Sequence, residues 1–555
     1  DAYNIAIGHN AGTAVSTGTN NVLIGGEAGD AITTGTDNIA MGRSALSAKT
    51  TGSGDVAIGH QALQDADGGD ALNVAVGYRA GRNITTGIRN IAIGASAADT
   101  LTTGIDNIAI GYQALATEDT HSYNTAIGHQ TLKAQDAGVD AYNVAMGYRA
   151  GYAVTTGTEN TIIGGLAGDA LSTGSNNVAI GYNALSTEDT GGRNVAIGKA
   201  ALYSLDAGAD AYNIAVGFNA GYSLSTGIKN TLIGGNAGDA LTIGNFNVAL
   251  GYHALTTSVD GDANVAIGYE ALGVYEDGDG NGHNTAVGFQ SQTAATTGEY
   301  NTSLGSSSMG AGATSGDYNV AVGYYAGYAM TSCTNNTLVG SNAGDALTSG
   351  GYNTAVGHNA LSTEDEHGKN VAIGRSALQT LNAGADSYNV AVGFNTGTVL
   401  TTGAENVLVG GNAGDALTTG AYNVAIGHVA LGAEDAHGRN VAIGYAALQN
   451  QDAGADAYNT AIGFYAGKNI STGIENTIIG GNAADGLTTA KECTLIGANT
   501  AAGGIVTGNQ NTSLGRYTLY NLTDGIGNTA IGSQAMINGV VTGDYNTAVG
   551  KDAGA

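Results

Sequence analysis

One five-position phrase recurs along the whole chain: Asn, a β-branched residue, a third residue that is most often Ala, an aliphatic residue, and Gly. The stretch from Tyr422 to Gly467, YNVAIGHVALGAEDAHGRNVAIGYAALQNQDAGADAYNTAIGFYAG, contains it three times. Aligned on this phrase the chain falls into 32 units, from Asn4 to Asn546, most of them 17 residues apart and a few 18 to 20. Apolar residues at the second and fourth positions alternate with period two, which predicts a strand, and β-branched residues suit a pleated surface. The invariant fifth Gly predicts a corner with φ > 0 or a close backbone approach. The leading Asn predicts a side chain bonded to neighbouring backbone and stacked on its own copies. A second corner is marked in many units by TTG or STG. Each unit is therefore predicted to be one coil of two or three short strands, stacked in parallel. At ~4.8 Å per coil, 32 coils would make a rod of roughly 150 Å. Nothing repeats at helical spacing, and Gly recurs too often for a helix.

The fold class expected is thus all-β: a parallel β-solenoid, or β-roll, of about 32 coils of 17 to 20 residues. A longer period lies over it. The coils at Asn73, Asn143 and Asn213 are 70 residues apart, as are those at Asn319, Asn389 and Asn459, which makes a four-coil super-repeat. In the second coil of a block the third position is usually large (Leu23, Ile162, Leu232, Leu408, Ile478), and in these coils the sixth is Gly (Gly26, Gly165, Gly235, Gly411, Gly481). Bulk at the third is expected to be balanced by its absence at the sixth. The ninth and twelfth positions trade likewise: Gly with Leu171, Leu241 or Leu417, against Leu185 or Leu431 with an acid. The blocks are interrupted by two atypical coils at Asn284 and Asn301. Three segments are accordingly expected: a shaft over 1–283, atypical coils over 284–318, and a shaft over 319–555. Both faces of the strand are apolar, as in strands buried on both sides. One face would fill the coil. The other, assigned to the third-position strip of Ala6, Ala40, Ala57 and their equivalents, would be buried between identical chains.

Composition agrees with repetition. There are 93 Gly, no Pro and no Trp, and 11% of residues are charged. The absence of Pro suits a chain whose N–H groups all serve ladders. A net charge of −29 repels phosphate backbones, so nucleic acid is not an expected partner. No apolar stretch reaches the ~20 residues that cross a bilayer, so membrane insertion by this segment is not expected. Cys333 and Cys493 do not form a disulfide framework.

The repeats NVAIGYNAL, NTAIGHQTL and NVAVGYRAG resemble the YadA-like head repeats of trimeric autotransporter adhesins. They are still more similar to NTAIG arrays in viral tail fibres and in proteins that end with an endosialidase-type chaperone. The resemblance covers the whole chain. It implies a left-handed parallel β-roll assembled as a homotrimer, extracellular on a virion or cell surface, with attachment to a host cell or surface as its role. A host-surface glycan or protein is the receptor class implied, and no receptor-binding residue carries over. The coils here are longer than is usual in adhesin heads. The chain opens mid-pattern at Asp1–Ala2–Tyr3–Asn4, and any stalk, anchor or chaperone is expected outside these residues. The leading expectation is a viral tail-fibre shaft. The alternatives are an adhesin head and a purely structural filament or sheath subunit.

Candidate chemistry is sparse. In EDGDGNGHN, from Glu276 to Asn284, Asp277, Asp279 and Asn281 followed by Gly282 reproduce the first half of a calcium loop. The acid expected at the end of such a loop is replaced by Gly288, and a solvated turn uses the same residue types. Calcium is the one cofactor the sequence suggests, and none is required. His9, His60, His129, His358 and His428 share the sixth position with Tyr, which favours packing with a polar tip over metal binding. Acid pairs such as Glu188–Asp189 and Glu364–Asp365 recur about every four coils, about 19 Å apart along the stack, and read as a solvated surface pattern rather than the paired carboxylates of a glycosidase. The coil interior has room for one layer of side chains, so an enzyme is not expected. Thr arrays of the ice-binding kind would be broken by the intervening EDT and DAG.

Overall fold

The computed structural model describes residues 2–276 and 281–554. They fold as a parallel β-solenoid, divided into two units, Asp1–Gly282 and His283–Ala555. The first carries sixteen strands, β1 (Ile5–Ile7) to β16 (Val265–Ile267), and the second sixteen more, β17 (Thr285–Val287) to β32 (Thr547–Val549). Every strand has three residues and occupies the second to fourth positions of its coil. Within each unit a strand pairs in parallel with the strand one coil on, as Val22, Leu23 and Ile24 pair with Ile39, Ala40 and Met41.

The coil is simpler than expected, with one regular strand rather than two or three. Outside the strands the described residues add only the isolated bridges Leu487–Val506 and Leu522–Val541. The remaining turns still bond coil to coil: Thr33 N–H donates to Thr50 O, and Leu46 N–H to Ala62 O. These bonds satisfy backbone groups that would otherwise be buried unpaired.

The leading Asn organises each coil. The main-chain N–H of Asn177 donates to Oδ1 of Asn160 at 2.9 Å. Its own Oδ1 accepts the N–H of Asn194 at 3.0 Å, and its Nδ2 donates to Gly191 O across the same coil at 3.1 Å. Repetition gives a buried ladder in each unit, with Asn21, Asn38, Asn160 and Asn177 all fully shielded. Asp55 is an exception that shows what the amide does. Asp55 Oδ1 still accepts Asn73 N–H at 2.8 Å, but a carboxylate has no N–H to give. Lys49, fully buried, supplies it: Nζ lies 2.8 Å from Asp55 Oδ2 and donates to Gly69 O at 2.9 Å. Cys493 is the other exception. Its N–H joins the ladder at Asn476 Oδ1, and burial pushes its thiol up. Both cysteines are free and buried.

The two strand faces are the reverse of the assignment made above. The third position points inward: Leu23, Ala40, Ala57 and Ala179 are fully shielded within one chain. With the eighth (Ala28, Ala45), the ninth (Leu46, Leu63) and the twelfth (Ile32, Leu101), it forms the core. The second and fourth positions point outward and stay half-exposed, as Met41, Ile58, Met146 and Leu250 show. The alternation was legible, but both sets are apolar and hydrophobicity alone does not tell in from out. The small third residue follows from the narrow interior.

Bulk is also balanced elsewhere than expected. A Cβ on the ninth-position Gly29 would lie 2.7 Å from Leu23 Cδ2 and 2.8 Å from Ile32 Cδ1, so the ninth Gly makes the room. The sixth Gly faces outward; a Cβ on Gly165 would meet only the Tyr182 ring of the next coil, at 3.5 Å. The fifth Gly meets both of its expected requirements. Gly181 has φ +139°, and a Cβ there would lie 2.4 Å from Gly198 O.

Gly181→Val should cost a few kcal/mol, with the loss confined to adjoining coils because each touches only its neighbours. Hydrogen exchange should accelerate around 164–198 and not at the ends of the unit. Lys49→Met leaves Asp55 buried and unpaired and should cost about 3–5 kcal/mol. The double variant Lys49→Met, Asp55→Asn restores an amide donor and should recover most of that loss in thermal unfolding.

Candidate functional site

The chemistry-bearing side chains outside the Asn ladder gather at the corner after the core Leu of certain coils. The sequences there are TEDTH (117–121), TEDTG (187–191), TEDEH (363–367) and AEDAH (433–437). The Glu stands at the twelfth position, where Ile32, Leu101 and Leu171 fill the interior of other coils. Glu118, Glu188, Glu364 and Glu434 are fully buried, while the Asp beside each lies at or near the surface. The pairs are therefore not the solvated pattern expected from sequence: one acid of each pair is a core residue. The turn explains how it is accommodated. Glu188 Oε1 accepts Gly191 N–H at 2.7 Å, and its Oε2 accepts Ala207 N–H from the next coil at 3.2 Å. The same first bond recurs from His121 to Glu118 at 3.1 Å, from His367 to Glu364 at 3.2 Å and from His437 to Glu434 at 3.2 Å.

The backbone donors do not fully replace lost water. Burial holds the Glu118, Glu188 and Glu364 carboxyls above the usual carboxylate range. For Glu434, burial, aided by the Asp452, Asp435 and Asp456 carboxylates, raises the carboxyl to about 7. The second oxygens of Glu118 and Glu434 have no hydrogen-bond partner, and neither do His367 Nδ1 and His437 Nδ1. Three corners add a His, and two of these add an Asp from the following coil: Glu118, Asp119, His121 and Asp136, and Glu434, Asp435, His437 and Asp452. In each group the candidate donor atoms lie within 4.8 Å of one another.

Of the calcium loop read from the sequence, Asp277 and Asp279 lie outside the described residues. Asn281 is exposed, and its carbonyl oxygen accepts the hydroxyl of the fully buried Tyr275 at 3.0 Å. His60, His129 and His428 lie against sixth-position Tyr rings of neighbouring coils. His60 lies 5.4 Å from Tyr78, and His129 lies between Tyr112 at 5.1 Å and Tyr148 at 5.4 Å. The acid corners were the signal missed. It was present in the trade of Leu for an acid at the twelfth position, since a position that is Leu in one coil faces the interior in all.

Comparison with known proteins gives no matching family model and no matching curated protein. No helix among the described residues is long and apolar enough to cross a membrane.

A buried acid whose folded-state titration lies above its unfolded value destabilises the fold as pH rises. The penalty of Glu188 is absent below about pH 4.5, where it is protonated in both states, and grows as pH climbs through its raised value. Gln stands at the same position in other coils (Gln135, Gln451) and is buried there. Glu188→Gln removes this pH dependence, though its single amide oxygen can accept from only one of Gly191 N–H and Ala207 N–H, so the melting temperature of the variant relative to the parent should rise between about pH 4.5 and pH 8. A difference between variant and parent that is the same at both pH values would contradict the raised titration of Glu188.

Proposed function

We propose that this chain is a shaft segment of an extracellular homotrimeric fibre that serves attachment to a host cell or surface, as in a viral tail fibre. The observation that carries the proposal is the outward face of the sheet. In each unit the second and fourth positions present an unbroken strip of Val, Ile, Leu, Met and Thr. Beside it runs a row of exposed rings at the sixth position, Tyr78, Tyr112, Tyr148, Tyr182 and Phe218 among them, each about half-exposed. A strip of this length exceeds the isolated apolar patches of a typical monomer. Identical chains with the same coil spacing offer a cover in register along its whole length, and a threefold arrangement closes without leaving a free apolar edge. The rungs also suit a shaft. Each coil repeats the same bonds to the next, so length is added without a new core, and stability is a sum over neighbours. The four-coil super-repeat of about 70 residues would then set the spacing of surface features along the fibre, with the acid corners among them.

Light scattering after gel filtration should give about three chains per particle; a stable monodisperse monomer would overturn the trimer. Replacing the outward Ile163, Ile180, Ile197 and Val216 with Asp should lower the assembled mass or the melting temperature while the circular dichroism of the solenoid persists. Ala179→Asp, on the inward face of the same region, should instead disrupt the coil itself.

A further inference from the structure

We infer that the corner formed by Glu434, Asp435, His437 and Asp452 binds a divalent transition-metal ion of the zinc class, and that the corner formed by Glu118, Asp119, His121 and Asp136 is a second copy of the site. The first corner is held in place by its own turn, with Glu434 Oε1 accepting the His437 main-chain N–H at 3.2 Å. That bond sets the imidazole over the carboxylate without a side-chain hydrogen bond: His437 Nδ1 lies 3.6 Å from Glu434 Oε1, beyond hydrogen-bond reach. Two ligands about 2.1 Å from a tetrahedral ion lie about 3.4 Å apart, which is close to the separation found. The Glu434 side chain is fully buried, yet its Oε2 has no hydrogen-bond partner, and neither has His437 Nδ1. Buried polar atoms of this kind are costly unless something meets them. A cation held between the Glu434 carboxylate and His437 Nδ1 would satisfy the imidazole nitrogen and, through bidentate contact, Oε2, and Asp435 and Asp452 complete a donor set within 4.8 Å.

The donors decide the class of ion. One imidazole nitrogen with carboxylate oxygens suits zinc and its neighbours, whereas calcium takes six to eight oxygens. Asp452 comes from the coil after Glu434, so the ion would tie two successive coils together. In the second copy Glu118 Oε2 is likewise without a partner, while His121 Nδ1 rests on Glu118 Oε1 at 2.9 Å. The chain supplies its own controls. The corner at Glu364 has Asn382 where the others have Asp136 and Asp452, leaving three candidate ligands. The corner at Glu188 has Gly191 in place of His and offers only oxygens.

The full chain, stripped with chelator, would be titrated with Zn²⁺ by calorimetry and with Co²⁺ by visible absorption, which reports coordination geometry. We expect two tightly held ions per chain and a tetrahedral-type Co²⁺ spectrum, with the three-ligand corner filling only at higher concentration. His437→Gln should reduce the tight stoichiometry from two to one, and His121→Gln with His437→Gln should abolish it. Asp452→Asn, an exposed and conservative change that leaves the interior intact, should weaken one of the two sites at least tenfold. The proposal is overturned if no saturable binding occurs. It is equally overturned if the double variant binds like the parent, or if equimolar Ca²⁺ displaces the ions, since either result marks diffuse attraction to an acidic surface.

Discussion

The structure depends on one repeated interaction, the buried Asn that bonds to its own copy. In most coils the amide does three things at once. Its Oδ1 receives the main-chain N–H of the next Asn, its Nδ2 closes its own coil on a corner carbonyl, and its backbone N–H hangs from the Asn before. At Asn194, Asn370 and Asn440 the Nδ2 instead bonds the carbonyl two residues back, and at Asn124 it has no partner. A buried polar group fully satisfied in this way fixes geometry strongly, because every alternative register leaves donors and acceptors unpaired. The ladder therefore sets the stacking register of successive coils. Extra residues in the longer coils are accommodated away from it, and strand pairing stays in register across coils separated by 17, 18 or 19 residues. The Lys49–Asp55 pair shows the same constraint from the other side: when the amide is lost, a second buried side chain delivers the missing donor to the same carbonyl.

Around this ladder the remaining residues are chosen by space. The interior admits Ala at the third and eighth positions, and where Leu or Ile enters the third, the ninth is small: Gly beside Leu23, Ile162, Leu232, Leu338 and Leu408, Ala beside Ile478 and Leu495. The fifth Gly leaves no volume for a Cβ beneath the next coil. What is apolar and does not fit inside is displayed outside, which is why the chain presents an apolar strip along each unit. The proposed trimer follows from that strip, and the proposed metal corners follow from the one interior position where charge replaces Leu.

Much of this was legible in the sequence, for identifiable reasons. Asn, the β-branched residue and Gly recur without drift, so the coil, its corner and the amide ladder could be read from Asn177, Val178 and Gly181 alone. The sense of the strand could not. Period two separates Ala179 from Val178 and Ile180 but does not say which side is inside, and with both apolar only the width of the interior decides. The partner of a bulky third residue was misplaced for the same reason, since Gly26 and Gly29 look equally suited until the face each occupies is known. The acid corners were hidden by the habit of treating Glu as a surface residue, although the Leu171 of a neighbouring coil marks the position of Glu188 as internal. Of the calcium-like loop, Asn281 supplies a carbonyl to Tyr275, and its two aspartates lie outside the described residues.

The most direct measurement of the central claim is site-resolved hydrogen exchange on Asn177→Ala. Truncation strips the partner from Asn194 N–H, now bonded at 3.0 Å, and from Gly191 O, bonded at 3.1 Å. With two buried groups left unsatisfied at about 1–3 kcal/mol each, the free energy of local opening across residues 174–195 should fall by roughly 2–6 kcal/mol. Distant coils of the same unit should keep their protection. Protection across 174–195 that matches the parent would contradict the account, because register and coil closure would then not rest on the ladder.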